Sequence, residues 1–418
     1  MKDHYRIVAI ADSHVGGERW GIDADKWTEP IWEAMAYANE NDVDVIVVLG
    51  DLFHRRSPSP AEYRRAMDAL LEPCRPLLII DGNHDIGATH DSISAAWPFD
   101  HALSVGRADI CTAGGQADYV VFEGPAWMKK GEGIQFVTLP WPRLADYGFL
   151  NDDDRHGLAD KIASARDHVL SLLKIAAEKI NPKWPALLVG HAMLSYGGDY
   201  QPNDPGLMLG KDIVIPTSEL PKQVGLALFG HVHQPDGWYV GSTQPTDFAD
   251  VVAKSFTVID FTLRDGQWEY ERQTVPYKTS LKVWDCVIVH EDETSTVKGR
   301  IRDAYRIECQ RRGLTEGPRF DVARARVVGN GVDIDPAMVR KVLGELADRV
   351  VSVDIVRPQQ QVRRLGGDDA PIVATMKPDE ALAKWLEVTG RTDEALRKRT
   401  LETFRELLHS TGTAGIPQ

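Results

Sequence analysis

The 418 residues include only four cysteines, Cys74, Cys111, Cys286 and Cys309, and no two of them form a C-x-x-C pair. Neither a disulfide framework nor a zinc knuckle is indicated, and a reduced cytoplasmic setting is expected. No run of 18 apolar residues occurs, so the sequence offers no candidate membrane-spanning helix. Residues 1–11 are charged and then apolar, without the long apolar stretch and small-residue cleavage site of a secretory leader. Positive charge is in deficit: 48 Lys and Arg against 62 Asp and Glu, a net charge of −14. A free-standing nucleic-acid binder is usually basic, so any such contact must come from local basic patches, bound metal ions or a partner. Internal repeats and long low-complexity tracts are also missing. What remains is ordinary globular composition, 43% hydrophobic and 26% charged, enough to bury a sizeable core in two or three domains.

Five short apolar runs each end in a polar motif. Residues 7–11 lead into Asp12-Ser13-His14, and 43–49 into Gly50-Asp51. Residues 77–80 lead into Asp81-Gly82-Asn83-His84-Asp85. Residues 186–189 lead into Gly190-His191, and 226–229 into Gly230-His231-Val232-His233. Rich in β-formers and bounded by turn residues, each run reads as a buried strand. Residues 30–39 and 60–71 carry apolar side chains at spacings of three and four, which predicts helices with a proline in the first turn. A longer helix is predicted over 158–180, with Ile162, Val169, Leu172, Leu173 and Ile175 as its apolar face. Strand–helix alternation predicts a layered α/β fold with the polar motifs at the carboxyl ends of strands, where open sheets build their sites.

The pattern changes after about residue 274. Strands at 322–328 and 350–356, with helices at 297–312 and 336–347, predict a small α/β domain. Residues 359–369 read as a linker, and 379–388 and 393–409 as two short helices capped by Asp379 and Asp393.

Taken singly, a histidine behind a strand is more often structural than chemical. Together the five strand ends supply Asp12, His14, Asp51, Asn83, His84, His191, His231 and His233, each motif behind its own strand. Imidazole and carboxylate suit divalent manganese, iron or zinc. One carboxylate can bridge two ions, and a neutral Asn oxygen completes a shell without adding charge. Burying such a cluster with no cation would be costly. Two ions about 3.5–4 Å apart can hold a phosphate, generate a nucleophile at neutral pH and neutralise developing charge.

These motifs resemble the calcineurin-like metallophosphoesterase superfamily, whose signature reads D-x-H, G-D, G-N-H-D/E, G-H and G-H-x-H. The likeness covers roughly residues 5–262. It implies an α/β fold with a four-layer core, two mixed β-sheets flanked by helices, followed here by a small α/β capping domain and C-terminal helices. It also implies two divalent metal ions, one held by Asp12, His14 and His233, the other by Asn83, His191 and His231, with Asp51 between them. By the same resemblance His84 is the acid that protonates the leaving oxygen, oriented by Asp85.

One branch fits best. Gly50-Asp51-Leu52-Phe53-His54 resembles the G-D-L-F-H/D of SbcD-type nucleases, in which the residue matching His54 lies near the scissile phosphate. The tract from Gly237 through Ser242 to Thr246-Asp247-Phe248, and Thr138-Leu139-Pro140-Trp141, resemble further parts of that family. Ile215-Pro216 and Leu220-Pro221 match its layout. The resemblance implies a manganese-supported DNA nuclease, a double-strand exonuclease and single-strand endonuclease, acting in repair, recombination or replication. It implies a homodimer through the region of 60–71 and the segment after Asp85, and an SbcC-type coiled-coil ATPase docked on 379–409. The expected division is 1–274 nuclease core, 275–360 capping domain, 361–378 linker and 379–409 docking segment. Lys298, Arg300, Arg302 and Arg306 in the capping domain are candidate contacts to DNA phosphates.

The chain departs from the pattern in three places. Asp81 stands where the family usually has Pro, Ala249-Asp250 replaces Gly-Glu, and residues 111–133 match no part of it. A stand-alone phosphatase or cyclic-nucleotide phosphodiesterase would use the same ligands. The additional C-terminal half and the Gly50–His54 tract argue against that alternative.

Overall fold

A computed structural model describes residues 2–73, 75–87, 92–96, 98–99, 110–123, 126–128, 133–147, 157–196, 212–290, 296–314, 318–329 and 334–356. The expected linker at 361–378 and helices at 379–409 lie outside the described residues.

The first half alternates as the apolar runs require: β1 (His4–Ile10), α1 (Ala24–Glu40), β2 (Val45–Leu49), α2 (Pro60–Leu71), β3 (Leu77–Ile80) and β4 (Ile110–Ala113). There follow β5 (Asp118–Glu123), β6 (Ala126–Met128), β7 (Ile134–Leu139), α3 (Leu158–Ala177), β8 (Ala186–His191), β9 (Met193–Ser195), β10 (Val214–Pro216) and β11 (Leu226–Gly230). An antiparallel pair, β12 (Ser255–Arg264) and β13 (Gln267–Pro276), closes the core. One six-stranded sheet runs β13-β12-β1-β2-β3-β4, and a five-stranded sheet runs β11-β8-β7-β5-β6. Both are mixed: β1 to β4 are parallel and β12 joins β1 antiparallel, while β11, β8 and β7 are parallel and β5 joins β7 antiparallel. The unmatched 111–133 stretch thus contributes β5 and β6 at the edge of the second sheet.

Strand alternation sorts side chains into layers. Ile7, Ala9, Val45, Val47 and Leu49 face between the sheets and meet Phe136, Leu187 and Val189 of the second sheet. Val8, Ile10, Ile46 and Val48 turn to the other side and pack under α1 and α2 through Ile31, Met35, Ala66 and Leu70. Val137, Leu139 and Leu188 pack under α3 through Val169 and Leu173. The order helix–sheet–sheet–helix is the expected four-layer α/β core. Because both faces of each sheet are covered, the central strands read as unbroken apolar runs rather than alternating ones.

Two helix readings need correction. Pro30 does not open its helix: α1 begins at Ala24, where the Asp23 side chain caps the Asp25 amide at 2.8 Å, and Pro30 lies inside. A proline there cannot donate to the Lys26 carbonyl. The Gln244 side-chain amide donates to that oxygen at 3.3 Å and to the Trp27 carbonyl at 3.0 Å, while Trp27, Ile31, Ala34, Met35 and Ala38 are buried. Tertiary contacts offset what the proline removes. In α3 the buried stripe is Ala165, Val169, Leu170, Leu173, Ala176 and Ala177, whereas Ile175 is 53% exposed. Ile175 sits about 200° around the helix from Leu173, off the stripe. The α2 expectation holds, with Pro60 in the first turn behind a Ser59–Glu62 capping box.

A third sheet, all parallel, is formed by β14 (Val283–His290), β15 (Phe320–Gly329) and β16 (Ala347–Val356), connected by α4 (Val297–Arg311) and α5 (Pro336–Leu346). Its own core includes Trp284, Cys286, Ile301, Phe320, Val339 and Leu343. It touches the main body where Val283 and Val322 meet Phe248, Trp20 and Ile22. Arg324 lies 4.6 Å over the Phe248 ring, and Arg349 donates to the Trp20 carbonyl at 3.3 Å.

Candidate metal centre

The parallel strands of both sheets end on one edge, and their next residues meet there. The chain leaves β1 and β2 side by side: the Asp12 amide donates to the Gly50 carbonyl at 3.1 Å, His14 to Asp51 at 2.9 Å and Val15 to Leu52 at 2.9 Å. Trp27, 1% exposed, donates from its indole to the His14 carbonyl at 3.2 Å and ties α1 to the loop. Four site residues stand in the left-handed region: Asp12 (φ 48), His14 (φ 46), Asp51 (φ 49) and His231 (φ 100). Such conformations in non-glycine residues cost about 1–3 kcal/mol each and persist where the surroundings over-determine them. The glycine of each short motif is a spacing requirement. A Cβ on Gly50 (φ 81) would strike the His191 ring, and one on Gly230 would strike the Leu49 carbonyl.

Six expected ligands form two groups. In one, Asp12, His14 and His233 offer atoms within 4.8 Å of one another, with His14 Nε2 and His233 Nε2 3.1 Å apart. In the other, Asn83 Oδ1 stands 3.0 Å from both His191 Nε2 and His231 Nδ1. Asp51 Oδ2 lies between them, 3.9 Å from His14 Nε2 and 3.5 Å from His191 Nε2. Further bonds set the frame: both Asp12 oxygens accept the His231 amide at 3.0 Å, and His191 Nδ1 meets the Leu49 carbonyl at 2.8 Å. A carbonyl only accepts, so His191 carries its proton on Nδ1 and presents the Nε2 lone pair to the cluster.

The donor set suits divalent cations. Ligand atoms each about 2.0–2.2 Å from one ion stand about 3 Å from one another. The His14–His233 pair and the two Asn83 pairs match this at 3.0–3.1 Å, with Asp51 a little farther at 3.5 and 3.9 Å. Burial holds His14 and His191 well below the usual imidazole range and His231 and His233 down at about 3, so all four favour the neutral, ligating form. Burial also pushes Asp12 up to about 8 and Asp51 well above the carboxylate range, with neighbouring carboxyls adding to it. Two buried carboxyls that resist ionisation, beside neutral imidazoles, are what a divalent cation would relieve. His14 Nδ1 and His231 Nε2 are buried with no partner among the described residues. A third cluster, His14, His54 and His84, lacks a carboxylate to offset a cation's charge, so the Asp12 group is the better claimant for His14.

His84 lies at the edge. Its amide donates to Asp51 Oδ1 at 2.7 Å, and its Nδ1 meets the His54 carbonyl at 2.8 Å. That fixes the proton on Nδ1 and leaves Nε2 as the exchangeable position. The His54 ring, held below the imidazole range by burial, stacks on His84 with centroids 5.3 Å apart. The orienting role expected of Asp85 is corrected. Its carboxylate is fully buried and accepts from the Phe53, Gly82 and Leu52 amides at 3.0, 3.0 and 3.3 Å, while the His54 carbonyl orients His84. Each buried N–H stripped of its acceptor costs about 1–3 kcal/mol. Asp85→Ala is therefore expected to lower unfolding free energy by several kcal/mol, and Asp85→Asn, which keeps one acceptor oxygen, by less. Urea melts of the two variants measure this; an alanine variant as stable as wild type would mean that relief of a buried charge outweighs the three bonds. Asp81, the departure from Pro, bonds Ser94 Oγ at 2.6 Å.

A cavity of about 410 Å3 opens over the centre, lined by His14, His54, His84, His233, Arg19 and Thr246 among others. Arg19 was not legible in the sequence, being one arginine in a loop. It faces the cavity near His54 and His233, and among the described residues no acidic side chain pairs with it. Arg56 lines an adjoining depression with His54, Asn83 and His84. None of Lys298, Arg300, Arg302 and Arg306 lines either space. They lie on α4, where Arg302 pairs with Glu345 at 2.9 Å and Arg306 with Asp303 at 3.3 Å.

The profile of the calcineurin-like phosphoesterase family matches residues 5–235. The DNA double-strand break repair protein Mre11 of Archaeoglobus fulgidus is 33% identical over 275 residues, which is 62% of this chain and 55% of that protein. The double-strand break repair protein mus-23 of Neurospora crassa is 36% identical over 73 residues, 17% of this chain and 10% of that protein. The chain thus spans about half or less of the length of the curated relatives it matches. Among solved structures, a dimetal phosphatase from Danio rerio matches at 15% identity and a TM-score of 0.35, covering 66% of this chain and 99% of that one. Among the described residues no helix is long and apolar enough to cross a membrane.

Proposed function

The chain belongs to the calcineurin-like phosphoesterase family, and from that membership we propose that it is a dinuclear-metal DNA nuclease. The observation that carries the proposal is the pairing of two ligand groups around Asp51 beneath a cavity rimmed by His84, His54 and Arg19. Asp12, His14 and His233 would hold one ion and Asn83, His191 and His231 the other, with Asp51 shared. The mixed imidazole, carboxylate and amide donors suit manganese, iron or zinc, with magnesium an alternative, and manganese is the ion proposed here. Bound ions of this kind neutralise phosphoryl charge and activate water at neutral pH. Arg19 pairs with a non-bridging phosphate oxygen, and His84 delivers a proton from Nε2 to the departing oxygen while the His54 carbonyl keeps Nδ1 occupied.

The similarity to two double-strand break repair proteins supports DNA over a small ester as the substrate. Double-strand exonuclease and single-strand endonuclease cutting is the form of cleavage proposed. Residues 275–360 as a capping domain, Lys298, Arg300, Arg302 and Arg306 as outlying phosphate contacts, a homodimer, and an SbcC-type ATPase on residues 379–409 complete the proposal. The deciding assay is cleavage of labelled duplex and single-stranded DNA with manganese, magnesium or chelator. Manganese-dependent cutting is expected. Rapid hydrolysis of a small phosphodiester with neither DNA cut would favour the stand-alone phosphodiesterase instead.

A further inference from the structure

Behind His233 lies a closed ring of hydrogen bonds that the ligand set does not include. The Lys254 ammonium donates to the His233 carbonyl at 2.8 Å and to Asp250 Oδ1 at 2.6 Å. Asp250 Oδ2 accepts the Thr246 amide at 3.3 Å, and Thr246 Oγ1 meets His233 Nδ1 at 2.8 Å. The Lys254 and Asp250 side chains are 2% and 8% exposed. We infer that Thr246, Asp250 and Lys254 form a positioning unit that fixes both the backbone and the ring of His233 for one of the two cations. This rests on the metal reading above.

The ring works on tautomer and on charge. His233 Nε2 points at His14 Nε2, so its lone pair serves a cation only if the proton sits on Nδ1. In that tautomer Nδ1–H donates a hydrogen bond to the Thr246 hydroxyl, and Thr246 is itself held by its backbone amide donating to Asp250. Lys254 places a positive charge beside a site meant for another, and a buried ammonium is tolerable there because Asp250 neutralises it at contact distance. The departure at 249–250 keeps a carboxylate at this point, and the four-residue step from Asp250 to Lys254 lets the pair close on itself. The turn carrying the unit is held by Asp247, whose side chain accepts the Ala249 amide at 2.8 Å, and by Phe248, packed on the third sheet.

The test is manganese binding by the full chain, measured by calorimetry and by counting ions with electron paramagnetic resonance. Thr246→Val removes the hydroxyl at nearly constant shape and is expected to weaken one of the two ions about 10–100-fold while sparing the other. Thr246→Ser is expected to restore it. Asp250→Asn leaves the ammonium unbalanced and should weaken the same ion, and adding Lys254→Met should recover part of the loss. Two ions bound by Thr246→Val as tightly as by wild type would overturn the inference, as would equal weakening of both ions. Wild type taking up no manganese would instead sink the metal assignment, and this inference with it.

Discussion

Adding manganese to the metal-free chain is expected to raise its melting temperature, and chelator to reverse the rise. The centre gathers two carboxyls that burial and their neighbours hold from ionising and four imidazoles that burial keeps neutral. A folded centre of this kind binds cations that the unfolded chain does not. One ion at 100 times its dissociation constant stabilises by about 2.7 kcal/mol, and two ions on a domain of this size should move the midpoint by about 5–10 °C. Asp51→Asn separates this from a general salt effect. It swaps a buried carboxylate that neighbours both groups for a neutral amide, so the metal-free variant should be at least as stable as wild type. With manganese it should fall behind if, as proposed, Asp51 is shared by both ions. A variant that gains as much from manganese as wild type would show that Asp51 is not the shared ligand. Calorimetric scans at matched free metal measure both.

The candidate centre was legible because each candidate ligand follows its strand within a few residues. Val45–Leu49 is five apolar residues buried on both faces, and Gly50-Asp51 must emerge at its carboxyl end. Five such ends, in one order, fix a cluster without knowledge of sheet order. What depends on contacts far apart in the chain was not legible. Gln244 supports the carbonyl that Pro30 leaves unpaired across more than two hundred residues, so the helix start was placed six residues late. The orienting role that the resemblance lent to Asp85 fails for the opposite reason: Asp85 adjoins His84 in sequence, yet its carboxylate turns back to three backbone amides. The Thr246–Asp250–Lys254 ring has no spacing signature, since its purpose shows only when the loop before β12 meets His233 beyond the end of β11.

His84→Gln is expected to lower the rate of DNA cleavage about 10²–10⁴-fold, the usual share of a positioned acid, while two manganese ions remain bound. Glutamine can fill much of the ring's space and donate to the His54 carbonyl, and its backbone amide can still reach Asp51. It cannot release a proton to a departing oxygen. The size of the loss should therefore depend on the leaving group. A deoxyribose alkoxide departs poorly without a proton, so DNA should suffer the full effect. A nitrophenolate departs readily unprotonated, so a nitrophenyl phosphodiester should be cut by the variant nearly as fast as by wild type. Equal losses on both substrates, with metal content unchanged, would mean that His84 orients the phosphate instead of protonating the leaving oxygen. The stacked His54, its Nδ1 buried without a partner among the described residues, would then be the next candidate for the acid.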